Sequence, residues 1–122
     1  MEIKLLEQEF SICRLKDLTQ VDFSDEFCFL GKTDEELSLV CSTGLAPSNA
    51  IERDDGWRAF RIQGILDFSL IGILSRISTL LASREIGIFA VSTYNTDYIL
   101  TKESQFEAAV EALKQDGYEI IR

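Results

Sequence analysis

The chain carries two apolar stripes of helical period, with β-rich runs before, between and after them. Leu70, Ile71, Ile73, Leu74, Ile77, Leu80 and Leu81 recur at the i, i+3, i+4, i+7 spacing, and Ser75, Arg76, Ser78, Thr79 and Ser83 fall on the other side. The pattern predicts one amphipathic helix of about four turns. Phe106, Ala109, Val110 and Leu113 form a second stripe, opened by a Ser104-x-x-Glu107 capping box and stopped by Gly117. WRAFRIQ (57–63), IGIFAVSTY (86–94), DYILTK (97–102) and YEII (118–121) read as strands, with Asn95-Thr96 turning the middle two into a hairpin. The order β-α-β-β-α-β is the split, ferredoxin-like plan of the α+β class. Right-handed crossovers then give a four-stranded antiparallel sheet with both helices on one face.

Residues 1–56 are less regular. IKLLEQEFSICRL, EFCFLGKT and ELSLVCST each read as a strand. KDLTQVDFSD is too short for a helix with its turns, and TGLAPSNA, which holds Pro47, has room for one short helical turn. The polar run ERDDG marks a boundary before Trp57. This spacing resembles the second half with its helices cut back. The expectation is therefore a degenerate repeat over 1–56 and a complete unit over 57–122, sharing one core.

Composition excludes several functions. The formal net charge is −9, which phosphate backbones and anionic membranes repel, so neither nucleic acid nor membrane is an expected partner. Histidine is absent, so a serine or cysteine nucleophile lacks its usual base. Cys13, Cys28 and Cys41 are odd in number and widely spaced. They lie in apolar runs as small core hydrophobes, not as a zinc set. Free thiols, with no signal-peptide pattern and no apolar run long enough to span a bilayer, predict a cytoplasmic protein. No P-loop and no G-x-G-x-x-G occur, no cofactor is implied, and no catalytic constellation is present.

The string GILSRISTLLASREIGIFAVST resembles the signature of ACT domains, the amino-acid-binding regulatory modules of aspartate kinases and related enzymes. The family's helix-opening glycine corresponds to Gly72, its apolar stripe to Ile73–Leu81, and its I-x-I entry to strand two to Ile86-Gly87-Ile88. Ile71 stands where the family often has proline, and Gly87 where it often has asparagine. The fuller string GILDFSLIGIL…STYNTDYIL is similar to small stand-alone bacterial proteins of two tandem ACT-like repeats, and to the ACT repeats of eukaryotic cytosolic arginine sensors.

The resemblance implies a ligand where the loop before helix one meets strand two, at an interface between ACT units. A helix N-terminus offers free N–H groups and the positive end of a dipole to an α-carboxylate. The expected donors are the main-chain N–H groups of Leu70, Ile71 and Gly72. Carbonyls near Phe89 and Val91, with the carboxylate of Asp67 or Asp97, would accept from the ammonium. Other roles stay open: Asp67 and Ser69 as helix caps, Gly72 as a close-packing residue, Asp97 as a turn acid, and Phe89 as a core side chain. The expected protein is a non-enzymatic amino-acid sensor, a homodimer by the family's habit. The alternative is an interaction module with a vestigial ligand site.

Overall fold

The computed structural model describes residues 1–64 and 72–122. The chain divides into two units, one of Met1–Glu7 with Arg58–Arg122, the other of Gln8–Trp57.

In the first unit the strands are β1 (Glu2–Leu5), the end of β5 (Glu52–Ile62), β6 (Phe89–Ser92), β7 (Asp97–Lys102) and β8 (Glu119–Ile121), with helices α1 (Ile73–Ser83) and α2 (Glu103–Gln115). The strand order is β6-β7-β5-β1-β8. This is an α+β, ferredoxin-like arrangement with one departure from the expected four-stranded sheet. The chain's first strand enters between β5 and β8, antiparallel to β5 and parallel to β8. Its alternation explains the fit: Ile3 lies opposite both Ile62 and Ile120, and Leu5 opposite Phe60. These side chains join Ile77 and Leu81 of α1, and Phe106, Ala109, Val110 and Leu113 of α2, in one buried core. The sheet face beneath the helices is therefore apolar, and Lys4, paired with Arg61, lies on the other face.

Both helices end in the same way. Tyr118 N–H reaches Leu113 O and Gly117 N–H reaches Lys114 O, with Gly117 at φ 97°, a Schellman stop at the predicted residue. Ile86 N–H reaches Leu81 O and Glu85 N–H reaches Ala82 O, so Glu85 takes the same left-handed place at φ 60°. This ending uses Glu85 and Ile86, and β6 begins only at Phe89, later than the expected strand over 86–94. The expected capping box is absent: the N-cap of α2 is Lys102, and Ser104 lies inside the first turn, exposed. Strand β7 runs into α2 with no connecting residue, so no position is left for a serine cap.

The second unit holds β2 (Phe10–Arg14), β3 (Cys28–Lys32), β4 (Leu37–Ser42) and the start of β5, in the order β3-β4-β2-β5. The expected single strand over IKLLEQEFSICRL is two strands, because the polar Glu7-Gln8-Glu9 interrupts it. A 3-10 turn over Thr43–Leu45 follows β4, and the irregular stretch 15–27 joins β2 to β3. Val21, Ala46 and Ala50 pack on the buried Cys13, Leu15, Leu39 and Cys41. The stretch is tied by aspartates: Asp17 accepts from Thr19 N–H at 3.0 Å, Asp22 from Ser24 N–H at 2.9 Å, and Asp25 from Ser42 N–H at 2.8 Å. The cysteines are free, and burial pushes the Cys41 thiol up to about 12. The residues of ERDDG are part of β5, which runs from Glu52 to Ile62, and the two units divide within that strand, between Trp57 and Arg58. Between Phe10 and Ile12 the register with β5 shifts by one residue, and Gly56 at φ 84° fits the extra residue of that bulge. Asp55 there accepts from Ser11 Oγ at 2.5 Å and from Arg53 Nε at 2.8 Å.

Candidate functional site

Helix α1 opens at Gly72, whose left-handed backbone (φ 83°, ψ 7°) precedes the first helical residue, Ile73. Arg76 N–H closes the first helical bond on Gly72 O at 2.8 Å. The N–H groups of Ile73, Leu74 and Ser75 therefore have no intrahelical acceptor. Glycine supplies no side-chain cap, and no acidic residue stands in the first turn. Among the described residues, no side chain then offsets the positive end of the helix. Gly72 is exposed, and among the described residues a Cβ built on it meets nothing within 4 Å; its left-handed backbone is what calls for glycine. Asp67, Ser69, Leu70 and Ile71, the other residues expected at this junction, lie outside the described residues.

The second wall is the β6–β7 hairpin. Phe89 lies opposite Leu100, Val91 opposite Tyr98, and Ser92 opposite Asp97. Thr93 N–H bonds Thr96 O at 2.8 Å and closes the turn. Antiparallel pairs alternate between bonded and non-bonded, so Val91–Tyr98 and Phe89–Leu100 are the bonded pairs. The groups of β6 that point away from β7 are then those of Ala90 and Ser92. Asp97, half-buried at the start of β7, accepts from Ser92 Oγ at 2.5 Å. It shares a strand face with Ile99, which belongs to the core beneath the helices. Thr96 Oγ1 donates to Ile62 O at 2.7 Å, which holds the hairpin at the end of the sheet where β5 leaves. The crossover that runs α1 back along the sheet puts its N-terminus toward that same end.

The opposite sheet face at this end carries residues that the sequence did not single out as a site. Arg61, Gln63, Gly64, Asn95, Thr96 and Tyr98 line an open cleft of about 270 Å³. Their signal was faint: Arg61 is one polar residue in an alternating strand. Among the described residues no helix is long and apolar enough to cross a membrane, and no group of three or more His, Cys, Asp or Glu is placed to hold a metal ion.

The family model for the ACT domain matches residues 52–115. A crystal structure of a protein from Agobacterium tumefaciens is similar at a TM-score of 0.87 and 30% identity, over 98% of this chain and 91% of that one. A protein of unknown function from Vibrio cholerae, described as a possible transport protein, gives a TM-score of 0.72 at 16% identity, over 92% of this chain and 86% of that one. The ligand-free regulatory subunit of aspartate kinase from Thermus thermophilus gives 0.66 at 11% identity, over 94% and 96%. No curated protein matches the sequence.

Proposed function

The chain belongs to the ACT domain family, and on that premise we propose that it is a non-enzymatic regulatory protein that binds a small molecule, an amino acid, where α1 begins. The observation that carries the reading is the start of α1: a left-handed Gly72 at the N-cap and, among the described residues, no capping side chain and no first-turn acid. Such an end suits the α-carboxylate. Asp97 and the outward carbonyls of Ala90 and Ser92, flanked by Phe89 and Val91, supply acceptors for the ammonium. Regulation is the role named for the Thermus thermophilus subunit of the same fold, and we carry it over to this chain.

Three further parts belong to the proposal. The protein works as a homodimer, since the edge strands β3, β6 and β8 invite pairing. It acts in the cytoplasm. Residues 1–56 derive from a second, reduced ACT repeat, a reading supported by the strand orders: β3-β4-β2 in one unit matches β6-β7-β5 in the other, where β1 then stands between β5 and β8.

The test is a thermal-shift screen against the twenty amino acids. One of them at a hundred times its Kd adds about 2.7 kcal/mol of stability. Asp97→Asn keeps the shape, removes the charge, and weakens that binding by about ten- to a hundredfold, the equivalent of about 1.5–3 kcal/mol. A screen in which no amino acid stabilises the protein sinks this reading and leaves the interaction module.

A further inference from the structure

The cleft on the other face of the first unit's sheet has the chemistry of a receptor. Arg61 Nε donates to Gln63 Oε1 at 3.1 Å, and Arg61 Nη1 donates to the Tyr98 hydroxyl at 3.3 Å. The guanidinium also lies 5.9 Å from the centre of the Tyr98 ring. Both hydrogen-bond partners are neutral, and among the described residues no carboxylate pairs with Arg61. That is notable in a chain with 21 acidic residues against 12 basic ones.

A guanidinium has five N–H donors. The two bonds above fix its plane and use two of the five donors, which leaves N–H groups on Nη1 and Nη2. Those two nitrogens form the fork that fits the two oxygens of a planar carboxylate. The side chain is half-buried, so the charge is partly desolvated and its orientation is held. Asn95, exposed at the hairpin turn, adds an amide to the rim. Asp97 is the nearest acid in sequence on β7, but strand alternation puts it on the face opposite Tyr98. Lys4 lies directly across from Arg61 on β1, and Glu2, next to Gln63, shares the face of Lys4.

We propose that this cleft is a carboxylate-binding site, in which the Nη1–Nη2 edge of Arg61 takes the carboxylate of a small organic acid and Gln63 and Tyr98 hold the guanidinium in place. The site lies on the sheet face away from α1 and does not depend on amino-acid binding there.

The experiment is an amide NMR titration of the full chain with sodium acetate, with acetamide as the neutral isostere and inorganic phosphate as the tetrahedral anion. Acetate moves the Arg61 Nε–H and the backbone amides of Gly64, Asn95 and Thr96 in a saturable way, and acetamide does not. Arg61→Gln weakens the acetate response at these amides at least tenfold. Arg61→Lys, which keeps the charge and loses the fork, weakens it nearly as much. Unchanged spectra elsewhere show that the variants fold. Equal shifts from acetate and acetamide, or an undiminished response in Arg61→Gln, would overturn the site; tighter saturation by phosphate would overturn the carboxylate assignment. The amides of Ile73, Leu74 and Ser75 report the other proposed site separately, so failure of one reading does not hide the outcome for the other.

Discussion

Glu85 holds a backbone φ of 60° at the end of α1, a place that Gly117 fills at the end of α2 with φ 97°. The geometry is the same and the residue type differs, so the pair isolates a single backbone term. An L-residue in the left-handed region costs roughly 1–2 kcal/mol, and glycine gives back part of that gain through the greater freedom of its unfolded chain. Glu85→Gly is therefore expected to stabilise the protein by about 0.5–1 kcal/mol, and Gly117→Ala to destabilise it by about 1 kcal/mol. The Gln105 Nε2 contact at this site goes to the carbonyl of Glu85 at 3.2 Å and survives the change. Urea unfolding of the two variants reads both signs; a loss of stability in Glu85→Gly would show that its side chain matters more than its backbone. At this scale the sequence was legible where a glycine stood and silent where it did not. Gly117 announced its turn, whereas nothing about Glu85 in REIGIF separates a left-handed stop from the first residues of a strand.

The helices were readable from their stripes, but their starts were not. Ser104 and Glu107 have the spacing of a capping box, and spacing is all that the sequence offers. What decides is the strand before them: Thr101 is fully buried at the end of β7, and the chain turns into helix directly after Lys102. Ser104→Ala is accordingly expected to change stability by less than about 0.5 kcal/mol, since alanine is the better helix former at an exposed position. A true cap would cost about 1 kcal/mol, and a thermal melt distinguishes the two. The same limit applies to β5. ERDDG has the composition of a loop, yet its backbone pairs with β2, and a bulge at Gly56 absorbs the mismatch. Composition reports what faces water; an exposed ladder faces water too. The candidate site divides along this line. The opening glycine and the turn acid Asp97 were visible as residues at element junctions. Arg61 and Tyr98 were not, because a cleft on a sheet face is made by neighbours that only the pairing brings together.

The unit that carries both proposed sites is not contiguous in sequence. Everything from Trp57 onward satisfies the βαββαβ plan by itself, and nothing in that stretch signals a missing strand. Yet β8 pairs with β1, and Met1–Glu7 belong to the same unit as Arg58–Arg122. Ile3 is fully buried between Ile62 and Ile120, and Leu5 and Leu6 are 4% exposed. Gln63 N–H bonds Glu2 O at 3.0 Å, and Glu119 N–H bonds Met1 O at 3.0 Å, so the first residues tie together the ends of both flanking strands. Losing them would leave the neighbouring edges unpaired and strip apolar cover from the core beneath α1 and α2. Ile3→Ala is expected to destabilise the protein by about 2–5 kcal/mol, the usual cost of truncating a buried isoleucine. Against a total of roughly 5–15 kcal/mol for a native protein, that is a large share. A fragment of residues 57–122 is expected to lack cooperative unfolding altogether, and an added peptide of residues 1–8 to restore part of its amide dispersion. A fragment that melts cooperatively on its own, with a well-dispersed spectrum, would mean that β1 only lines an already complete sheet. The four-strand reading of the sequence would then describe the folding unit better than the five-strand order does.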